Sequence, residues 1–204
     1  MNDLTLRALD ALKKHGFTVH AFETAADMAD FVVNDIPTDA SVGFGGSMTV
    51  RSLDIYDRLA QRGCTLNDHG RGSTPDEREE LIRRELCSDI YIMSSNAVTA
   101  GGKLYNVDGR GNRVAALAGG PATAYILLGE NKFVETDGDA VERVRTVAAP
   151  KNTVRHNSNT PCVATGHCMD CSSPDRICNM FLWTERPRMG QTIHICVCPE
   201  DLGY

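Results

Sequence analysis

The chain has 204 residues, of which 42% are hydrophobic and 24% charged, and these proportions are typical of a folded globular protein. Its 21 basic and 27 acidic side chains give a formal net charge of −6, which argues against a nucleic-acid partner. No apolar run reaches the roughly 18 residues that a membrane-spanning helix needs, and the N-terminus lacks an export pattern. We therefore expect one domain over residues 1–204, without a membrane span and located in the cytoplasm.

The first part of the chain alternates predicted helices and strands. Helical spacing of leucines predicts a helix over Asp3 to His15, and a short strand around Val19 follows. A second helix begins after the capping residue Thr24. The apolar run 41–44 predicts a strand, and a glycine-rich loop then leads into a helix that continues to residue 63.

The middle of the chain continues this alternation. The segment that begins Thr74-Pro75 has the cap, N-terminal proline and acidic first turn of a helix, which is predicted to end near Cys87. A strand is predicted over residues 90–93. A hairpin is then predicted to join residues 104–107 to 113–117 around an Asp-Gly turn.

The last part of the chain is less regular. A strand over residues 124–128 precedes a helix that is predicted to end by Pro150. Periodicity is then absent over residues 151–190, so something other than apolar burial is expected to order this segment. A final strand is predicted over residues 193–197. This alternation predicts an α/β fold, with an open, mostly parallel sheet flanked by helices on both faces.

A glycine loop and two polar loops are the candidate ligand-binding segments. Glycines after a strand let the backbone approach an anion, and nearby hydroxyls add donors, although such glycines can also serve only a tight turn. The turn before Arg113 could clamp a carboxylate or phosphate, whereas the charge of Arg110 at its tip is expected to be solvated. Because the chain is acidic overall, Lys132 or an arginine would have to hold an anion locally. The candidate residues are Gly43, Gly45, Gly46, Ser47, Thr49, Asn96, Asn106, Asp108, Asn112, Arg113 and Lys132.

Four of the eight cysteines lie within seventeen residues near the C-terminus. They are Cys162, Cys168, Cys171 and Cys178. A Cys-x-x-Cys pair with flanking cysteines could hold a [4Fe–4S] cluster or one zinc ion, and the spacing does not distinguish the two. A disulfide pair or unrelated buried thiols are the alternatives. The segment 151–190 is therefore a candidate metal-bound extension.

The remaining cysteines and histidines carry no evident chemistry in the sequence. The other four cysteines, which are expected to be apolar core residues, are Cys64, Cys87, Cys196 and Cys198. His167 is a weaker candidate metal ligand because it adjoins Cys168, while His156 and His194 are expected to be ordinary surface and strand residues. No hydrolytic triad is apparent.

The motifs together resemble the lactate-utilisation (LUD) domain family, in its short members that carry a cysteine segment. The resembling segments are residues 42–49, 88–99, 104–114, 129–132, 149–152 and 161–179. The resemblance implies a fold like that of the ribose-phosphate isomerase and CoA-transferase superfamily, and the four cysteines then look like ligands of an iron–sulfur cluster. One departure is Ala100, which stands where the family pattern has an acidic residue, so a reaction that depends on a carboxylate there is in doubt.

The resemblance implies an iron–sulfur redox or electron-transfer component that acts on or with a small 2-hydroxy or 2-oxo carboxylate, in the oxidation of L-lactate to pyruvate. Other iron–sulfur or oxidoreductase subunits are the expected partners. One alternative is a non-redox isomerase or transferase that acts on a phosphorylated or CoA-linked substrate and contains a structural zinc. Another is a binding subunit without chemistry of its own. The oligomeric state is left open, with a homo-oligomer among the expectations.

Overall fold

Six strands form one parallel sheet at the centre of the molecule. The computed structural model describes all of residues 1–204. The strands of this sheet are β1 Thr18–Ala21, β2 Ser41–Phe44, β3 Thr65–Asn67, β4 Ile90–Met93, β7 Thr123–Gly129 and β10 Thr192–Cys198. Their order is β1-β10-β7-β4-β2-β3, and every neighbouring pair is parallel.

Four shorter strands form a second, mixed sheet. They are β5 Ala97–Thr99, β6 Leu104–Asp108, β8 Phe133–Val134 and β9 Met180–Thr184, in the order β8-β5-β6-β9. Strand β6 runs antiparallel to both β5 and β9, and β5 is parallel to β8. Because β5 follows β4 after only three residues, the second sheet begins beside the carboxyl end of β4.

Nine α-helices accompany the sheets. They are α1 Asp3–Lys14, α2 Ala25–Asp35, α3 Met48–Arg51, α4 Ile55–Gln61, α5 Pro75–Leu86, α6 Asn112–Gly119, α7 Asp137–Arg143, α8 Ala149–Arg155 and α9 Pro161–Thr165. Helix α5 starts as predicted, because Thr74 and Glu77 form a capping box and Pro75 occupies the first turn. None of these helices is both long and apolar enough to cross a membrane.

The parallel sheet is covered on both faces, which confirms the predicted architecture. Along β4, Ile90 and Ile92 belong to a core cluster of 21 buried residues, whereas Tyr91 and Met93 belong to a cluster of 17 on the opposite face. Successive side chains of a strand point to opposite faces, so a strand that is apolar throughout can contribute to two cores. The central strands therefore read as continuous apolar runs.

The hairpin predicted at residues 104–117 is wrong. Residues 104–108 form β6, but residues 112–119 form helix α6 instead of a second strand. The carboxylate of Asp108 accepts hydrogen bonds from the backbone N–H groups of Arg113 (2.8 Å) and Val114 (3.1 Å). These bonds satisfy donors that are free at the start of a helix, and they favour the helix over the turn that the Asp-Gly pair predicts.

Two predicted helix boundaries also change. The helix predicted from the glycine loop to residue 63 is divided into α3 and α4 at Asp54, which has a left-handed backbone with φ of 50°. The helix predicted to end by Pro150 continues to Arg155. A π-helical segment, Val144–Ala148, precedes the proline. Proline has no backbone N–H to donate, and it follows a segment where the regular α-helical hydrogen bonds are already interrupted.

The segment 151–190 contains more regular structure than its sequence pattern indicates. It includes most of α8, helix α9 and strand β9, which pairs with β6 from Asp108↔Met180 to Leu104↔Thr184. Strand β9 lies at the edge of its sheet, with Phe181 and Trp183 exposed. The side chains of an exposed edge strand are not divided into one buried apolar face and one polar face. Its sequence therefore lacks the alternation from which a strand is predicted.

We expect replacement of Gly43 by Ala to destabilise the fold. A Cβ atom at this position of β2 would lie 2.5 Å from the backbone oxygen of Glu85 in α5. Moving a packed helix away from the sheet should cost about 1–3 kcal/mol, measured as a lower urea midpoint. Gly119→Ala is the matched control, because a Cβ atom there meets nothing within 4 Å. Equal midpoints for the two variants would contradict the close packing of α5 on β2.

Candidate functional site

Three neighbouring strands of the parallel sheet deliver polar loops to the same edge. The glycine loop follows β2, Ser94 to Asn96 follow β4, and Asp68 and His69 follow β3. The Gly45 N–H donates to the Ile92 carbonyl at 3.0 Å, which joins the first two loops. Ligands collect at the carboxyl ends of parallel strands, so this edge is the expected place for a site.

The glycines of the loop have different roles. A Cβ atom at Gly45 would lie 2.6 Å from the Arg113 side chain, so this glycine makes room for that arginine. Gly43 lies against α5 and lines neither of the two cavities described next. Gly46 lines both of them. Of the three predicted glycines, two therefore act through packing and one faces the ligand space.

The larger cavity, called here the outer cavity, has a volume of about 500 Å³ and is rich in arginine. Five arginines line it, namely Arg51, Arg78, Arg110, Arg113 and Arg155. Arg110 pairs with Glu79 at 2.9 Å on the exposed surface, as the sequence predicted for a solvated charge. Asp108 is the only carboxylate in the lining, and it is paired with Arg113. The outer cavity therefore carries a net positive charge in an acidic chain.

A smaller cavity, called here the inner chamber, adjoins the outer cavity and has a volume of about 40 Å³. Gly46, Asn96 and Arg113 line both spaces. The inner chamber is also lined by Lys132 and by five hydroxyl residues, namely Ser47, Thr49, Ser94, Ser95 and Tyr204. This volume suits a group the size of a carboxylate, and the lining supplies cations and hydroxyl donors for it.

Arg113 is held in place at the junction of the two spaces. Its Nε atom donates to Asp108 Oδ1 at 2.8 Å, and its guanidinium also contacts the Asn96 amide oxygen at 3.3 Å and the Val107 carbonyl. Asp108 thus has two roles, because it caps α6 and orients Arg113. A guanidinium held by several bonds presents its remaining N–H groups to a ligand without further ordering cost.

Lys132 is a buried cation that contacts no Asp or Glu side chain. The residue is only 3% exposed, and its ammonium donates to the main-chain oxygen of Tyr204. Burial, together with the neighbouring charges of Arg143, Arg113 and Lys151, lowers the pKa of Lys132 to about 7. Because like charges surround this ammonium, an anion in the inner chamber would stabilise its protonated form.

A histidine that sequence analysis did not select also lines the outer cavity. His69 Nδ1 lies 2.7 Å from the carboxylate of Glu85, which is fully buried. Asn112, a predicted ligand residue, lines the outer cavity and contacts the other oxygen of Glu85 at 3.4 Å. The signal in the sequence was weak, because His69 and Glu85 are sixteen positions apart and no motif connects them.

Of two further predicted polar residues, one lines the inner chamber and the other lines neither cavity. Thr49 lines the inner chamber, and its hydroxyl donates to the Leu202 carbonyl at 3.2 Å. Asn106 is buried, lines neither cavity, and has no hydrogen-bond partner for its amide atoms. Asn106 and Asp108 share one face of β6, but only Asp108, at the end of the strand, reaches the outer cavity.

The cysteine segment borders the outer cavity. Ile177 lines that cavity, and Asn179 donates through its backbone to the Asp108 carbonyl at 3.0 Å. Arg176 organises the segment, since its guanidinium donates to Asp170 (2.9 Å) and to the carbonyl oxygens of Cys171 (2.6 Å) and Cys178 (3.2 Å). One side chain therefore ties two of the predicted metal ligands together beside the ligand space.

The four clustered thiols are all free of disulfide bonds. Burial raises the pKa of Cys178, and the nearby thiols of Cys168 and Cys171 raise it too, although Arg176 opposes them. Cys162 is buried, with the Thr153 and Thr160 hydroxyls 3.3 Å and 3.2 Å from its sulfur. No three of the sulfurs all lie within 4.8 Å of one another, whereas a tetrahedral zinc site brings thiolates within about 3.8 Å.

The other four cysteines are not all core residues, contrary to expectation. Cys64, Cys196 and Cys198 are buried in the larger apolar cluster, but Cys87 is exposed at the end of α5. Burial raises the pKa of the Cys196 thiol well above its usual value, so this sulfur is an apolar core group. Cys87 is exposed because the C-terminal end of its helix reaches the surface.

Comparison with known proteins agrees with this architecture. The family model of the LUD domain matches residues 6–198. The chain belongs to the LUD domain family. This LUD-domain protein is also similar in fold to the crystal structure of a DUF162 family protein from Deinococcus radiodurans, with 13% identity, a TM-score of 0.55 and coverage of 95% of each chain. No curated protein matches it. The family predicted from the sequence is thus confirmed.

We expect Lys132→Met to stabilise the protein at low pH. The folded-state pKa of Lys132 is about 7, below its ordinary value of 10.5, so folding is penalised below pH 7 and the penalty disappears toward pH 10.5. The variant should therefore have a higher urea midpoint than the wild type at pH 6, and this difference should shrink as the pH rises.

Lys103, whose pKa is raised and not lowered, provides the control. Asp137 raises the pKa of Lys103, with which it forms a 2.8 Å ion pair, so Lys103→Met should slightly lower the midpoint at pH 6. A difference between Lys132→Met and the wild type that stays constant from pH 6 to pH 10 would show that the ammonium is not destabilised by burial.

Proposed function

We propose that the inner chamber binds the carboxylate of a small 2-hydroxy or 2-oxo acid, and that this protein acts on it as part of a redox system. The observation that carries the proposal is the buried ammonium of Lys132 beside Arg113 in a chamber of about 40 Å³. The chamber lining contains these two cations and no Asp or Glu side chain, which favours an anionic guest. Because the chain belongs to the LUD domain family, we propose L-lactate and pyruvate as the acids that bind there.

The cavity arrangement supports a ligand with one charged end and a reactive polar end. A carboxylate at Lys132 and Arg113 would place its neighbouring carbon toward Asn96 and Gly46, which line the passage to the outer cavity. Hydroxyls of Ser94 and Ser95 lie on the same chamber wall. These groups bind and orient the acid.

The four clustered thiols support a metal cofactor next to this ligand. Their chemistry fits an iron–sulfur cluster, because all four are free thiols and Cys168 and Cys171 lie near Cys178, while hydroxyl donors lie beside the sulfur of Cys162. The residues that would hold it are Cys162, Cys168, Cys171 and Cys178. When bound, a [4Fe–4S] cluster supplies one-electron transfer. Ile177 is both a neighbour of Cys178 and part of the outer cavity wall, so the two sites share a border.

Protein purified without oxygen and reconstituted with iron and sulfide should be brown and contain about four iron and four sulfide per chain. Cys171→Ser should lose most of this iron. Cys87→Ser is the matched control, since Cys87 is an exposed cysteine on α5, outside the cysteine segment, and it should retain the full iron content. A colourless protein with one zinc per chain would exclude the cluster and support the structural zinc.

Pyruvate should bind with an affinity that depends on the protonation of Lys132. Because the pKa of Lys132 is about 7 without an anion, the pyruvate Kd should rise about tenfold per pH unit above pH 7. Lys132→Met should bind pyruvate at least about 100-fold more weakly at pH 6, with little dependence on pH. Calorimetric titration from pH 6 to pH 9 measures both, and equal affinities for the two proteins would contradict the proposal.

The outer cavity favours one second candidate, an isomerase or transferase that acts on a phosphorylated or CoA-linked substrate. Five arginines and a volume of about 500 Å³ exceed what a single small carboxylate requires. Arginine is well suited to bidentate contacts with phosphate. Thermal-shift measurements with ribose 5-phosphate and with CoA address this candidate, and it replaces the first one if these ligands raise Tm while pyruvate and L-lactate do not.

A further inference from the structure

His69 and Glu85 form a buried hydrogen-bonded pair at the wall of the outer cavity. Glu85 is fully buried in α5, and its Oε1 atom accepts the backbone N–H of His69 at 2.5 Å and faces the ring Nδ1 at 2.7 Å. The other carboxylate oxygen contacts the Asn112 amide nitrogen at 3.4 Å. The carboxylate therefore has N–H donors on both oxygens, and this arrangement places the ring proton of His69 on Nδ1.

The second ring nitrogen of His69 is left facing the ligand space. The side chain is 21% exposed and lines the outer cavity. A Cβ atom built at Gly46 would lie 3.6 Å from His69 Nε2, so the ring stands beside one of the residues that line both cavities. With Nδ1 protonated, Nε2 carries a lone pair and can accept a proton from a bound molecule.

The charges around the pair keep it in this arrangement. Asp68 precedes His69, and its carboxylate accepts the Gly70 N–H at 2.8 Å and the Arg51 guanidinium at 3.3 Å. His156 also lines the outer cavity and is in contact with Arg155. The ligand atoms of Asp68, His69 and Glu85 lie within 4.8 Å of one another, but each carboxylate oxygen already accepts a protein hydrogen bond.

We propose that His69 is a catalytic proton-transfer residue of this pocket and that Glu85 is its positioning residue. His69 Nε2 takes the proton of the C2 hydroxyl of a bound 2-hydroxy acid, or returns it to the carbonyl oxygen of the 2-oxo acid. The identity of this ligand rests on the proposed function. In the oxidation, the O–H bond breaks and the Nε2–H bond forms, the C2–H bond breaks as its hydride passes to a quinone-type acceptor that is thereby reduced by two electrons, and the C2–O bond becomes a carbonyl.

The pair resembles the arrangement by which a buried carboxylate fixes the tautomer of a catalytic histidine in hydrolases. Here no serine or cysteine completes a nucleophilic triad, because the only hydrogen bond of the His69 ring is the one from Nδ1 to Glu85. The free nitrogen therefore faces the ligand itself. The arginines and Lys132 hold the charged end of the acid, and His69 supplies the base that they cannot supply.

Nitrogen NMR of the wild-type protein labelled with ¹⁵N tests the geometry without any assay of activity. The neutral His69 ring should show a protonated Nδ1 and an unprotonated Nε2, and added pyruvate should shift the Nε2 resonance. His15, which bonds to the Gly102 carbonyl on the far side of α1, is the internal control and should not move. A proton on Nε2 in the neutral ring would overturn the proposal, whether or not pyruvate binds.

Steady-state oxidation of L-lactate with dichlorophenolindophenol as the two-electron acceptor tests the catalytic role. His69→Gln should lower kcat at least about 100-fold with less than about a threefold change in KM, whereas His15→Gln should leave both unchanged. Glu85→Gln should lower kcat less and shift the pH profile, and added imidazole should partly rescue His69→Gly. An unchanged kcat in a folded His69→Gln protein would overturn the role of His69.

These two measurements separate the inference from the proposed function. If L-lactate is not oxidised and pyruvate does not bind to the wild-type protein, the proposed function fails. The tautomer measured by NMR still decides whether Glu85 holds His69 as a base toward the cavity. If L-lactate is oxidised equally well without His69, the proposed function stands and the further inference fails.

Discussion

One edge of the parallel sheet collects more buried positive charge than the fold neutralises, and the site depends on this imbalance. Burial lowers the pKa values of Lys132 and Arg143, which are both removed from water and contact no Asp or Glu side chain. Arg113 has such a partner in Asp108. Charges that are buried without partners oppose folding, so their grouping around one pair of cavities favours a ligand that brings negative charge.

Helix α5 links the stability of the fold to the geometry of this edge. It packs so closely on β2 that position 43 has no room for a Cβ atom. The residue of α5 that lies against position 43 is Glu85. Its carboxylate contacts His69, which follows β3, and Asn112 in α6. The carboxylate thus connects three segments that are distant in the chain. A helix placed this tightly holds the His69 ring at the cavity wall, because small shifts of a packed core are costly.

Much of the framework could be predicted from local patterns, and the errors have local causes. Strand β4 and helix α5 were predicted almost to their ends, because an apolar run and a capping box depend on neighbouring residues alone. The strand predicted over residues 113–117 is a helix, because its start is capped by a carboxylate whose role no short pattern reveals. Strand β9 was missed because its apolar residues are exposed at a sheet edge.

The sequence by itself determined the family, the α/β class, the glycine loop, and the grouping of Cys168, Cys171 and Cys178 with Cys162, since each is encoded within a short stretch of chain. Only the tertiary structure decided which of the candidate residues share a cavity. It placed Lys132 beside Arg113, turned Asn106 away from both cavities, and brought His69 to Glu85. These contacts join residues that are far apart in the chain, so they depend on strand order and helix packing, which no local pattern specifies.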